Sequence, residues 1–298
     1  MRETIVCIGK TGEKPYRFPQ TEVSVSSYEE LCCYLSQHLI CYLYTLPEDD
    51  LLVYIREELG LEKLYRQLVK LESPEKDQMK YFATLFREGN YYSEAEIRVI
   101  LDHYRSLKNE PYHRQYKQIG DLLLKYHKAT MAIQYYDEAL KHLSGEEGVQ
   151  TGNIYHNRGI ANSQLFRFED AKIDFVKAYR NNGDEASLFS YYCLMVFDNG
   201  DLAGATQEIR DSFHVPDDLI SQFEERLSGM MEEQQFTEDA ARYRKIVYLN
   251  VNGRQEDARQ YFTTLVSQQR QAFRPQLESD EKWVVTNVPA KVTLEFSK

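Results

Sequence analysis

Basic side chains are scarce in this chain. Its 36 Lys and Arg stand against 47 Asp and Glu, a formal net charge of −11. A phosphate backbone needs a basic face, and an anionic membrane surface attracts one, so neither nucleic acid nor a charged membrane is an expected partner. The acidity serves solubility instead. Long apolar runs are lacking too. The longest, Leu39–Leu46, has eight residues and contains Tyr42, Tyr44 and Thr45, whereas a membrane helix needs about 20. At the N-terminus, Thr4–Ile8 is too short for a secretory h-region and ends at Gly9–Lys10. A cytoplasmic chain without membrane insertion is expected. The five cysteines (Cys7, Cys32, Cys33, Cys41 and Cys193) are odd in number and irregularly spaced, which fits reduced thiols used as small hydrophobes.

Recognisable chemistry is also missing. No HExxH pair occurs among the seven histidines, and no Gly-x-Ser-x-Gly elbow places a nucleophile. Gly9–Lys10–Thr11 resembles the end of a phosphate loop, but Thr4 stands where the first glycine belongs, and Pro15 and Pro19 oppose a following helix. Thr11–Gly12–Glu13–Lys14–Pro15–Tyr16 matches the linker between zinc fingers, yet Cys32, Cys33 and His38 lack paired ligand spacing. The expectation is a non-enzymatic protein with no catalytic residue, metal or cofactor. The 23 tyrosines suggest a base-stacking surface, but such platforms need a basic groove, so packing is the better use for them.

What the chain has is a repeat. Three stretches carry one pattern: Tyr116–Ile119–Gly120–Leu123–Ala132–Tyr136–Ala139, then Tyr155–Gly159–Ala171–Phe175–Ala178, then Phe189–Cys193–Val196–Ala205–Ile209. Ala132 and Ala171 are 39 residues apart, and Ala171 and Ala205 are 34 apart. The longer first interval fits an extended second helix with a loop at 144–148. Each unit reads as two antiparallel helices that bury their apolar stripes only against neighbours. Gly120, Gly159, Ala132 and Ala171 let the backbones approach, and Tyr136 and Phe175 are expected to fill the space toward the next unit. A fourth hairpin is suggested by Asn252–Gly253, Ala258, Phe262 and Leu265. A weaker one lies upstream, with Tyr81, Leu85 and Phe86, a Gly89–Asn90 turn, then Ala95, Val99 and Leu101.

This pattern resembles the tetratricopeptide repeat, whose period is about 34 residues. The family's tryptophan is replaced by Tyr116, Tyr155 and Phe189, and its proline after the second helix is absent. Degenerate helical-repeat relatives share these features. The resemblance implies an all-α hairpin solenoid that binds a protein or peptide along the first helix of each unit. That face would comprise Arg114, Lys117 and Asp121; then Asn153, His156, Asn157, Ile160 and Gln164; then Ser190, Tyr191 and Leu194. Lys117 and Asn157 match two positions of the family's clamp for a peptide carboxylate. Asp121, Ser187 and Tyr191 replace its other members, and Asp121 would repel an acidic tail. Asn153 and Asn157 lie one helical turn apart, and each amide can both donate to and accept from a peptide backbone.

The remaining segments set the organisation. Residues 3–8 and 22–26 read as strands, with a loop over 9–20. Ser27 with Glu30 forms a helix-start box, and the helix carries Leu31, Leu35, Leu39 and Leu43 to about Tyr44. Further helices start at Pro47 and at Leu61. The sequence therefore divides into an N-terminal module over 1–72, helical repeats over 73–270 (clearest at 113–215) and a tail over 271–298. Strands near 283–285 and 292–296 are candidates to share a small β element with residues 3–8. The functional expectation is a scaffold or adaptor. A peptide-sensing regulator ranks second, since 28–71 offers no basic recognition helix. An enzyme's regulatory subunit is the other alternative.

Overall fold

A computed structural model of the chain describes residues 9–71, 77–143, 148–199, 201–233, 245, 246, 249, 254 and 256–267. Among the described residues it is mainly helical, with one two-stranded sheet. Two compact units are present, the first reaching His142 and the second starting at Leu143. The strands expected at 3–8, 283–285 and 292–296 lie outside the described residues.

In the first unit, β1 (Thr11–Arg17) runs antiparallel to β2 (Ser24–Ser27), with Tyr16 opposite Val25 and Arg17 opposite Ser24. The loop expected over 9–20 is therefore corrected to a strand for most of its length. Pro15 cannot donate to a ladder, but the register is irregular between Thr11 and Tyr16, so its missing amide falls where pairing is already interrupted. Burial of Tyr16 and Phe18, whose rings meet edge-on at 5.0 Å, holds the hairpin to the core.

Ser27 caps α1 (Tyr28–Gln37) by accepting from the Glu30 amide at 3.1 Å, and Glu30 accepts from the Ser26 amide at 2.6 Å. The start box forms with its return bond shifted by one residue. The helix does not continue to Tyr44. His38 Nδ1 donates to the Tyr34 carbonyl at 2.6 Å, the acceptor that His38's own amide would need in a continuing helix. That amide turns to the Leu35 carbonyl at 3.2 Å, and a 3₁₀ turn, Leu39–Tyr42, follows. Leu31, Leu35, Leu39 and Leu43 are all buried despite the break.

Four more helices complete this core: α2 (Asp49–Glu57), α3 (Glu62–Val69), α4 (Gln78–Arg87) and α5 (Glu94–Asn109). One hydrophobic cluster extends from Tyr16 to Leu107 and holds residues from both sides of position 72. The register expected for α5 is corrected: Val99 is 69% exposed, while Ile97, Tyr104 and Leu107 are buried. The Tyr104 hydroxyl sets that rotation. It lies 2.8 Å from the Tyr42 carbonyl and 2.9 Å from Gln78 Oε1, and a buried phenol needs such partners.

His38 also makes the first unit sensitive to pH. Its Nδ1 carries the proton given to the Tyr34 carbonyl, so Nε2 accepts from the Tyr126 hydroxyl at 2.7 Å. Burial, with Lys125 nearby, holds the imidazole below its ordinary value of 6.5. The folded state therefore binds fewer protons than the unfolded one, and this contribution is present above pH 6.5 and fades as pH falls. We expect the urea midpoint to drop between roughly pH 7 and 5.5, with a shallower slope in His38→Phe. Equal slopes would contradict the assignment.

The repeat is visible in the helical hairpins. The first unit holds α6 (Tyr112–Lys125) and α7 (Ala129–Lys141). The second holds α8 (Gly148–Gln164), α9 (Phe168–Asn182), α10 (Glu185–Asn199), α11 (Leu202–Phe213) and α12 (Asp217–Glu233). Gly120 receives the Tyr136 ring, and Gly159 receives the Phe175 ring; a Cβ added to either glycine would lie 2.7 or 2.8 Å from ring carbon. Tyr136 and Phe175 thus cover the glycine of their own hairpin, and Phe175 also joins the apolar cluster that holds Leu188, Phe189 and Tyr192 of the next one. The small residue is what lets an aromatic ring lie flat on the partner helix. In the third hairpin, Cys193 and Ile209 take the two places.

The turns repeat as well. His127 and Phe166 both adopt left-handed φ, 58° and 57°. The next amides, of Lys128 and Arg167, return to the Leu123 and Asn162 carbonyls, each at 2.9 Å. Neither turn residue is glycine, so the conformation is imposed by packing and by these bonds. In the second unit, residues 34 apart meet: Tyr179 with Phe213 at 5.6 Å, and Phe189 with Phe223 at 5.3 Å. Of the suggested fourth hairpin, residues 252–253 lie outside the described residues. Residues 256–267 are helical, with Ala258 and Leu265 buried.

Candidate functional site

The site expected from the sequence falls on both units. In the second unit it occupies α8 and α10. The two helices are tied by His156, whose Nδ1 lies 2.9 Å from the Ser187 hydroxyl, and Ser187 is fully buried. His156 also packs on the Phe175 ring at 5.6 Å. Burial lowers its pKa, and Asp184 opposes that shift. The imidazole is therefore neutral over the physiological range and serves as a hydrogen-bonding strut between the helices.

Around this strut, Asn153 and Gln164 are exposed, and Asn157, Ile160, Ser190 and Leu194 are half-buried. Asn153 accepts from Asn182 Nδ2 at 3.1 Å. Ser190 donates back to the Ala186 carbonyl at 2.9 Å. Ile160 and Leu194 lie against the apolar cluster of this unit. Tyr191 requires correction as a contact residue. It is buried, its ring meets Phe213 at 5.8 Å, and its hydroxyl donates to Glu208 on α11. Burial, reinforced by Glu208, raises its pKa well above the ordinary phenol value. A large ring on a helix that crowds its neighbours is drawn into the interface by the area it buries.

In the first unit, Arg114, Lys117 and Asp121 lie on α6. Arg114 is exposed. Lys117 donates to Asp121 Oδ2 at 2.6 Å, and the Tyr136 hydroxyl donates to Asp121 Oδ1 at 2.9 Å. Asp121 is therefore held inside its own hairpin. It also borders an open cleft of about 340 Å³ floored by Leu39, Leu107 and Leu122.

Comparisons with protein-family models, with curated proteins and with solved structures return no match for this chain. The site is therefore read from its own chemistry.

One feature of that chemistry escaped the sequence reading. Arg158 Nε and Nη2 donate to Asp174 Oδ2 and Oδ1 at 2.9 and 2.6 Å, and Asn162 Nδ2 donates to Oδ2 at 3.0 Å. The carboxylate side chain is 3% exposed and the guanidinium side chain 18%. This bidentate pair ties α8 to α9 directly behind the candidate surface. A signal did exist: Arg158 and Asp174 each precede a member of the Gly159–Phe175 pair by one residue. The corresponding residues of the preceding hairpin, Ile119 and Tyr135, are both buried and uncharged.

Among the described residues, no group of three or more His, Cys, Asp or Glu could hold a metal ion. Among them also, no helix is long and apolar enough to cross a membrane. Burial raises the Cys193 thiol to about 11, which leaves it a packing group at neutral pH.

Proposed function

We propose that the hairpins of the second unit are tetratricopeptide-like units, stacked as a short helical solenoid, and that the protein is a non-enzymatic scaffold or adaptor. Its partner is a protein or peptide bound along α8 and α10. The observation that carries this reading is the contact between side chains 34 residues apart, Tyr179 with Phe213 and Phe189 with Phe223. Side chains one repeat period apart pack in this way when successive hairpins stack in register. Such stacking lines first helices up with first helices, and the His156–Ser187 bond between α8 and α10 is what that arrangement requires.

The surface supports binding more than turnover. Its exposed members are amides, its neutral histidine is committed to Ser187, and the buried Tyr191 gives its hydroxyl to Glu208. No group is left as a general base beside an activated nucleophile.

Site-specific photo-crosslinking in cells tests the proposal. A crosslinker at Gln164 or Leu194 should trap a discrete protein partner. One at Ile173, 53% exposed on α9, should not. Trapping from Ile173 alone would overturn the assignment of the binding face.

A further inference from the structure

The charge is distributed unevenly within the second unit. Across α8, Gly148–Gln164, the one charged residue is Arg158, and across α10, Glu185–Asn199, charged residues occur only at Glu185 and Asp198, near the two ends. By contrast α9 alone carries Glu169, Asp170, Lys172, Asp174, Lys177 and Arg180. Arg158 does not face a ligand as a free cation, because Asp174 neutralises it in a bidentate pair. On α12, Glu224 accepts from the Thr206 hydroxyl at 3.0 Å, and the exposed Arg226 guanidinium lies 4.1 Å above the Phe189 ring.

We infer that the α8–α10 surface selects an uncharged, extended peptide segment, held by amide and hydroxyl contacts to its backbone and by apolar contact with Ile160 and Leu194. The inference rests on the proposed reading of α8 and α10 as the binding face and adds the chemistry of what binds there. In a chain with a net charge of −11, a two-helix strip whose middle carries one charge, the paired Arg158, and whose others, Glu185 and Asp198, stand near the ends of α10, selects by mismatch along its length. A peptide carboxylate or ammonium laid on it would give up water and gain no counter-ion. A neutral backbone meets amides that both donate and accept, Asn153 and Gln164, and the Ser190 hydroxyl oxygen as an acceptor, its proton being given to Ala186. The same scarcity of cations, with Arg158 already paired to Asp174, makes a nucleic acid a poor occupant.

The test is panning of a phage-displayed random dodecapeptide library on the full chain, followed by affinity measurement of synthetic winners. Enriched peptides should be poor in Asp, Glu, Lys and Arg, and their affinity should change by less than about twofold between 50 and 500 mM NaCl, because no exposed ion pair is there to be screened. Gln164→Lys, a change at an exposed position, should shift the winners toward acidic sequences and introduce a salt dependence. Enrichment of charged peptides, or affinity that collapses with salt, overturns the inference and leaves the scaffold reading standing. Neutral winners that bind Gln164→Lys and Asn153→Ala as they bind the original chain also overturn it, since binding then lies elsewhere. Failure to enrich any peptide overturns the peptide-binding reading and the inference together.

Discussion

Asp174→Ala should destabilise the second unit by about 3 kcal/mol, which lowers the melting temperature of its transition by about 8 °C. The substitution leaves the Arg158 guanidinium beside α9 with no counter-charge, and removes the acceptor of Asn162. A half-broken buried pair costs more than an absent one, because desolvation of the remaining charge is no longer offset. Arg158→Met with Asp174→Leu should therefore recover more than half of the loss, as the uncharged Ile119 and Tyr135 at the corresponding places of the preceding hairpin suggest. Calorimetry of the three proteins, with the two units fitted as separate transitions, checks both statements. If Asp174→Ala melts with the unaltered chain, the pair is a solvated contact and contributes little.

Gly159→Leu should lower the stability of the same unit by about 3 kcal/mol through overpacking. A Cβ alone at this position would lie 2.8 Å from Phe175 Cε1, and Phe175 is 2% exposed, so its ring has nowhere to swing. The milder Gly159→Ala shares the clash but gains helix propensity. Combined with Phe175→Leu, it should show a favourable coupling, with the double variant more stable than the sum of the single losses predicts. Urea denaturation of the four proteins measures that coupling. Simple additivity would mean that glycine and ring are not in contact in solution.

These two sites differ in how far the sequence foretold them. The glycine was legible, because a small residue repeating at a fixed interval before an aromatic is a pattern in one dimension. What covers it was not: Tyr136 and Phe175 lie on the glycines of their own hairpins. The Arg158–Asp174 pair was legible only in hindsight. Charged residues are common on helices, and the sequence does not say which face is turned inward. Likewise Val99 reads as a core residue by its apolar character, yet the Tyr104 hydroxyl anchors α5 in another rotation. The strand over Thr11–Arg17 was hidden by Pro15, whose missing donor falls at an irregularity of the register.

The candidate surface divides in the same way. Asn153 and Gln164 are exposed and Ile160 and Leu194 half-buried on α8 and α10; periodicity alone assigns a helix face, and on that face Tyr191 too would be accessible. Tyr191 is buried instead, because the same register cannot weigh a ring's gain from burial against its exposure. Asp121 is committed to Lys117 one turn away on α6, a contact that i,i+4 spacing encodes, and to Tyr136 across its own hairpin, which no linear spacing encodes.

The sequence by itself determined the mainly helical character, the hairpin period, the start of α1 at Ser27 and the shortage of basic charge, because each depends on neighbours within a few residues or on composition. The tertiary structure alone decided which charges are neutralised, which rings cover which glycines and where α1 stops. Those outcomes depend on groups brought within hydrogen-bonding distance from far along the chain, such as Tyr126 on His38, and the energy of such a contact is set by the dryness of its surroundings rather than by the order of residues.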